Sequence, residues 1–119
     1  MANEILDLVV KAKWYDLIKD GYKREEYRAI KPYWCKRILY ACGLPLPMDY
    51  WNILLEEKKA PYINGYSLPT YVRFRRGYTK ESMLFKIDSI EIGLGKSDLG
   101  APAEEVFIIK FSDYGSNKR

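Results

Sequence analysis

The hydrophobic period of the chain changes along its length, and no other feature restricts the fold as much. In the first half, apolar residues recur at helical spacing, with Trp14, Leu17 and Ile18 in one segment and Trp34, Ile38 and Ala41 in another. From Tyr71 onward the period is that of strands. Val72 and Phe74 alternate with Arg73 and Arg75, residues 83–92 form a longer run, and residues 106–111 are apolar on both faces, as in a central strand. Two further extended segments lie in the first half. In residues 5–11, Leu6, Leu8 and Val10 alternate with Asp7 and Lys11. In residues 23–29, Glu26 and Arg28 share one face, and Glu25 and Tyr27 share the other. The order is β-α-β-α-α-β-β-β, an α+β domain able to curl into a barrel with helices at one side.

Punctuation along the chain agrees with that order. Gly21 stands at the left-handed cap of a helix over 13–20. Pro32 suits the first turn of a helix running to about Cys42, and Gly43 followed by Leu44-Pro45-Leu46-Pro47 ends it. Asp49 caps a third helix over 50–59 with a stripe of Trp51, Leu54 and Leu55. Pro61 and Asn64-Gly65 mark a loop, and residues 93–105 form a Gly-, Pro- and Ser-containing connection. Within that connection Gly93-Leu94-Gly95-Lys96-Ser97 lacks the spacing and the following helix of a phosphate loop. With no repeat, low-complexity tract or linker, residues 1–119 read as one domain.

The chemistry open to the chain is narrow. It has no histidine, so Ser-His-Asp, Cys-His and His-zinc sites are excluded, and neither metal nor cofactor is expected. Cys35 and Cys42, if on one helix, lie about 10 Å apart at roughly 1.5 Å per residue. That exceeds the Cα separation of about 7 Å that a disulfide tolerates, so both are expected to be reduced. No apolar run approaches the roughly 20 residues of a membrane span. The start, Met1-Ala2-Asn3-Glu4, lacks a basic signal region, so a cytoplasmic protein away from membranes is expected.

Charge points to a polyanion. Residues 11–37 hold nine Lys or Arg against four acids, a surplus of five, and the remainder is close to neutral in a chain of net charge +4. A second cluster, Arg73, Arg75, Arg76 and Lys80, contains no acid. Aromatics make up 15% of the residues, with Tyr most frequent among them, and suit contact with flat groups as well as a core.

Gly21-Tyr22-Lys23-Arg24-Glu25-Glu26-Tyr27-Arg28 resembles the ASCH family, whose signature Gly-x-Lys-x-x-Glu-x-Arg is met by Gly21, Lys23, Glu26 and Arg28. The flanking Lys13-Trp14-Tyr15-Asp16-Leu17-Ile18, Ile30-Lys31-Pro32-Tyr33-Trp34 and Val72-Arg73-Phe74-Arg75-Arg76-Gly77-Tyr78 are similar to family segments, as is Val106-Phe107-Ile108-Ile109 as a last strand. The resemblance implies a PUA-like curved β-barrel of about five to six strands with two to three helices at one side. Residues 44–66 then read as a variable insertion. It further implies a cleft for RNA, a nucleotide or a nucleoside, and in some relatives hydrolysis of RNA or of acylated cytosine nucleosides.

The residues support such a cleft in their own right. Lys23 and Arg28 supply charge for a phosphate, with Arg28 able to bond bidentately. Glu26 can pair with Arg28 or accept hydrogen bonds from a base edge. Lys23 has the opposite strand parity to Glu26, so it joins them only from the turn after Gly21, before regular pleating begins. Arg73, Arg75, Arg76 and Tyr78 form a second candidate binding group, Tyr78 as a stacking surface. Alternating arginines on an outer face also serve solubility alone. Tyr27, Tyr33 and Trp34 read as core or rim residues. In an enzyme, Lys23 and Glu26 would be the catalytic pair, with Glu26 as general base. The acylated-nucleoside hydrolases of the family place Thr where Glu26 stands, so binding ranks above hydrolysis, and a protein–protein adaptor ranks third.

Overall fold

The computed structural model describes residues 5–41 and 71–113. The helix expected over 50–59, the insertion 44–66, and the side chains of Cys35 and Cys42 lie outside the described residues. The elements are β1 (Ile5–Val10), α1 (Ala12–Lys19), β2 (Glu25–Ala29), α2 (Pro32–Ala41), β3 (Tyr71–Arg76), β4 (Ser82–Leu94), a 3₁₀ turn at Ser97–Leu99, and β5 (Glu105–Asp113). All five strands join one sheet in the order β1-β3-β4-β5-β2. β1 runs parallel to β3, and the other neighbours are antiparallel.

Every expected strand among the described residues is present, the 71–76 strand with the expected ends and the others with ends shifted by at most two positions. β2 begins at Glu25, so Lys23 falls in the turn and outside the pleat. The sheet curls into a half-barrel. One cause is a register shift on β4, where Ile87 faces Phe111 and Ser89 faces Lys110, leaving Asp88 as an extra residue. Such a bulge bends its strand and adds twist. Curling brings the two edge strands together, and the Arg28 Nη2 of β2 donates to the Val9 carbonyl of β1 at 3.2 Å.

The larger core lies inside the curl. Leu6, Leu8, Val10, Val72 and Phe74 alternate inward from β1 and β3, as their period-2 spacing requires. Phe74, Phe85 and Phe111 pack with ring centroids 4.9 to 5.9 Å apart. Tyr15 and Ile18 from α1 and Ile38 from α2 close this core, each worth about 1.5–3 kcal/mol when fully buried. A smaller cluster, Tyr27, Leu99, Ala101, Val106 and Ile108, packs on the opposite face together with Leu17. β5 therefore buries both faces, which explains its unbroken apolar run from Val106 to Ile109.

Candidate functional site

The turn between α1 and β2 delivers Lys23 to the interior. Gly21 adopts φ +85°, and the Tyr22 and Lys23 N–H groups both donate to the Leu17 carbonyl at 3.0 and 3.1 Å. This left-handed cap turns the chain back under the segment between β4 and β5. The Lys23 side chain ends there at 1% exposure. Its Nζ donates to the Leu99 carbonyl at 2.6 Å, lies 3.3 Å from Glu26 Oε1, and sits over the rings of Tyr27 and Trp14 at 4.6 and 5.1 Å. Desolvation holds the Lys23 ammonium below its ordinary pKa, and the Glu26 charge opposes that fall.

Glu26 joins two cations. While Oε1 faces Lys23, Oε2 accepts from Arg28 Nη2 at 3.1 Å, as expected for residues two apart on one strand face. Arg28 stacks over Trp34 of α2, its guanidinium carbon 5.0 Å from the ring centroid. Its Nε is buried without a hydrogen-bond partner among the described residues. Burial lowers the Arg28 pKa, Glu26 counters this, and the nearby Arg37 adds to it.

Arg28 opens onto a cleft of about 520 Å³ between the outer edge of β1, the start of α2 and the β3–β4 turn. Pockets of roughly 300–1,000 Å³ enclose single small ligands. Arg37 lies on the α2 side, its guanidinium carbon 5.3 Å from the Trp34 centroid and 5.7 Å from that of Tyr33. Its Nη2 donates to the Asp7 carbonyl at 2.9 Å and its Nη1 to the Tyr33 hydroxyl at 3.0 Å, so its partners among the described residues are neutral. Lys11 stands at the margin, where α1 begins without a side-chain cap and without an acid in its first turn. Beside it, where the Gly77 N–H donates to the Val10 carbonyl at 2.8 Å, Gly77 at φ +54° precedes Tyr78, which is 97% exposed.

Lys23, Glu26 and Arg28 therefore form one continuous chain of contacts, of which Arg28 lines the cleft and the other two stand behind it. The second arginine group is arranged differently. Arg75 bonds Asp7 in bidentate fashion at 2.7 and 3.2 Å, and Arg73 lies 3.5 Å from the same carboxylate. Arg76 likewise clasps Asp16 at 3.1 and 3.2 Å, with Glu81 at 3.6 Å. These three arginines lie outside the lining of the cleft, whereas Tyr78 stands at its mouth.

Sequence reasoning passed over Arg37 and Lys11 and gave Tyr33 and Trp34 to the core or rim. The available signal was helical spacing, since Tyr33, Trp34 and Arg37 lie three and four positions apart on α2 and so share a face. The Leu99 carbonyl over Lys23 left no signal, because any residue can supply a backbone oxygen. Among the described residues, no group of three or more Cys, Asp or Glu could hold a metal ion, and no helix is long and apolar enough to cross a membrane. Comparison of the chain with protein-family models, curated proteins and solved structures finds no match.

Proposed function

We propose that the protein is an ASCH-type, PUA-like binding domain that holds RNA or a nucleotide in the cleft between β1, α2 and the β3–β4 turn. The observation that carries this reading is the pair of guanidiniums, Arg28 and Arg37, over one indole, Trp34, inside a cleft of one-ligand size. Guanidiniums beside aromatic faces suit a ligand that combines phosphate with a planar base. Tyr78 supplies a further exposed ring at the mouth.

Binding is favoured over hydrolysis by the enclosure of Lys23 and Glu26. Proton transfer requires a base within hydrogen-bond reach of substrate, and neither residue lines the cleft. Their contribution is to fix Arg28, Lys23 holding Glu26 and Glu26 holding the guanidinium. Fluorescence anisotropy with short single-stranded RNAs, competed by mononucleotides, tests the reading. Micromolar affinity that falls as salt rises, and that Arg37→Gln weakens while Lys86→Gln does not, is expected. Absence of binding to every RNA and nucleotide at millimolar concentration overturns it.

A further inference from the structure

Resting on that reading, we propose that the cleft takes its ligand by a terminal phosphate monoester rather than by the internal diesters of a strand. The ligand class is a nucleoside monophosphate, either free or at the phosphorylated end of an RNA.

The first argument is that the positive charge converges on a point. Arg28 and Arg37 lie over the same ring, and Lys11 stands at the margin of the same cleft. The Arg37 charge acts against that of Arg28, and an anion between them relieves the repulsion. A phosphate monoester carries about −1.5 to −2 charge near neutral pH, against −1 for a diester, and gains more from such a focus.

A second argument comes from the arginines that could have extended this point into a track. Proteins that follow a strand line a groove with cations along its backbone. Here Arg73 and Arg75 share Asp7, and Arg76 is held by Asp16 and Glu81. Their charge is largely spent within the fold, so these three arginines do not extend the cationic surface of the cleft.

Hydrogen-bonding capacity agrees. Arg28 commits Nη2 to Glu26 and to the Val9 carbonyl, and retains a buried Nε without a partner among the described residues. Arg37 meets only neutral acceptors there. A terminal phosphate presents three peripheral oxygens to these donors, and an internal diester presents two.

The test compares four probes on the full chain: a nucleoside monophosphate, its nucleoside, and one short RNA with and without a 5′-phosphate, with a 3′-phosphorylated version as a further arm. Each phosphorylated ligand whose end the cleft accepts is expected to bind at least about tenfold tighter than its unphosphorylated counterpart. Arg37→Gln should erase that ratio. Because Arg28→Gln disturbs a buried pair, Arg37 is the primary variant and thermal melting checks that it is folded.

The groups facing the phosphate are Lys11, Arg28, Arg37, Asp7, Tyr33 and Tyr78, with Glu26 and Lys23 behind them. The ratio between the members of each ligand pair should fall from pH 7.5 to pH 5, following the ligand's second ionisation near about pH 6. Equal affinity within every phosphorylated and unphosphorylated pair, the nucleotide and its nucleoside included, overturns the monoester inference and leaves RNA binding standing; a difference confined to the nucleotide pair assigns the cleft to the free monophosphate. Binding to none of the probes overturns both.

Discussion

The Lys23 ammonium and the Glu26 carboxylate lie 3.3 Å apart, and both are shut away from solvent. Glu26 is the only carboxylate that ion-pairs with Lys23 or Arg28 among the described residues. Removing its charge leaves two largely buried cations facing each other across a neutral group. Loss of one partner of a buried pair typically costs about 3–5 kcal/mol. Glu26→Gln is therefore expected to lose about 3 kcal/mol or more in urea denaturation. Lys23→Met should lose less, since Arg28 still balances Glu26, and the double variant should recover part of the Glu26→Gln loss. A Glu26→Gln change below about 0.5 kcal/mol would place the pair among weak surface bridges instead.

Tyr27 is expected to contribute to loss of stability at alkaline pH. Its ring is buried, and its hydroxyl donates to Glu25 Oε1 at 2.9 Å while accepting from the Lys96 N–H at 3.2 Å. Burial pushes its pKa from 10.0 up to about 12. Above pH 10 the unfolded chain gives up this proton and the folded chain keeps it, so the folded state binds more protons and stability falls as pH rises. The contribution is complete below pH 10 and is lost on the way to about 12. Tyr15, whose pKa burial also raises, adds to the same loss. Desolvated Lys23 acts in the opposite sense, since its stability penalty is relieved as pH rises toward its ordinary 10.5. Denaturation midpoints from pH 9 to 12 should fall less steeply in Tyr27→Phe than in the parent. An unchanged slope would remove Tyr27 as the cause.

Gly95 is required by close packing. A Cβ placed there would lie 2.5 Å from Tyr27 Cε1 and 2.6 Å from the Ala101 Cβ. Overpacking of this kind costs about 1–3 kcal/mol. The same segment carries the Leu99 carbonyl that covers Lys23, so Gly95→Ala should also loosen the cover. Two readouts are expected to move together: a lower melting temperature and faster acylation of Lys23 by an amine-reactive reagent, followed by mass spectrometry. Destabilisation with Lys23 still protected would separate the cover from the packing.

The strands and helices among the described residues were legible in the sequence because each buries a face set by local periodicity. Val72 and Phe74, Leu6 and Leu8, and the unbroken run of β5 carry their burial in their spacing. Gly21 likewise marked the turn that keeps Lys23 out of the pleat. The pairing of Glu26 with Arg28 followed from strand parity, since residues two apart share a face. Tertiary structure decided which charges are spent and which remain. Arg73 and Arg75 looked like a basic face until the parallel pairing of β1 with β3 set Asp7 opposite Arg73. The curl of the sheet, helped by the extra residue at Asp88, brought Arg28 against Val9 and opened the cleft beside α2. The Leu99 carbonyl then enclosed Lys23 from a segment 76 residues away in sequence. Contacts of that range depend on where distant strands meet, and local residue patterns carry no record of it.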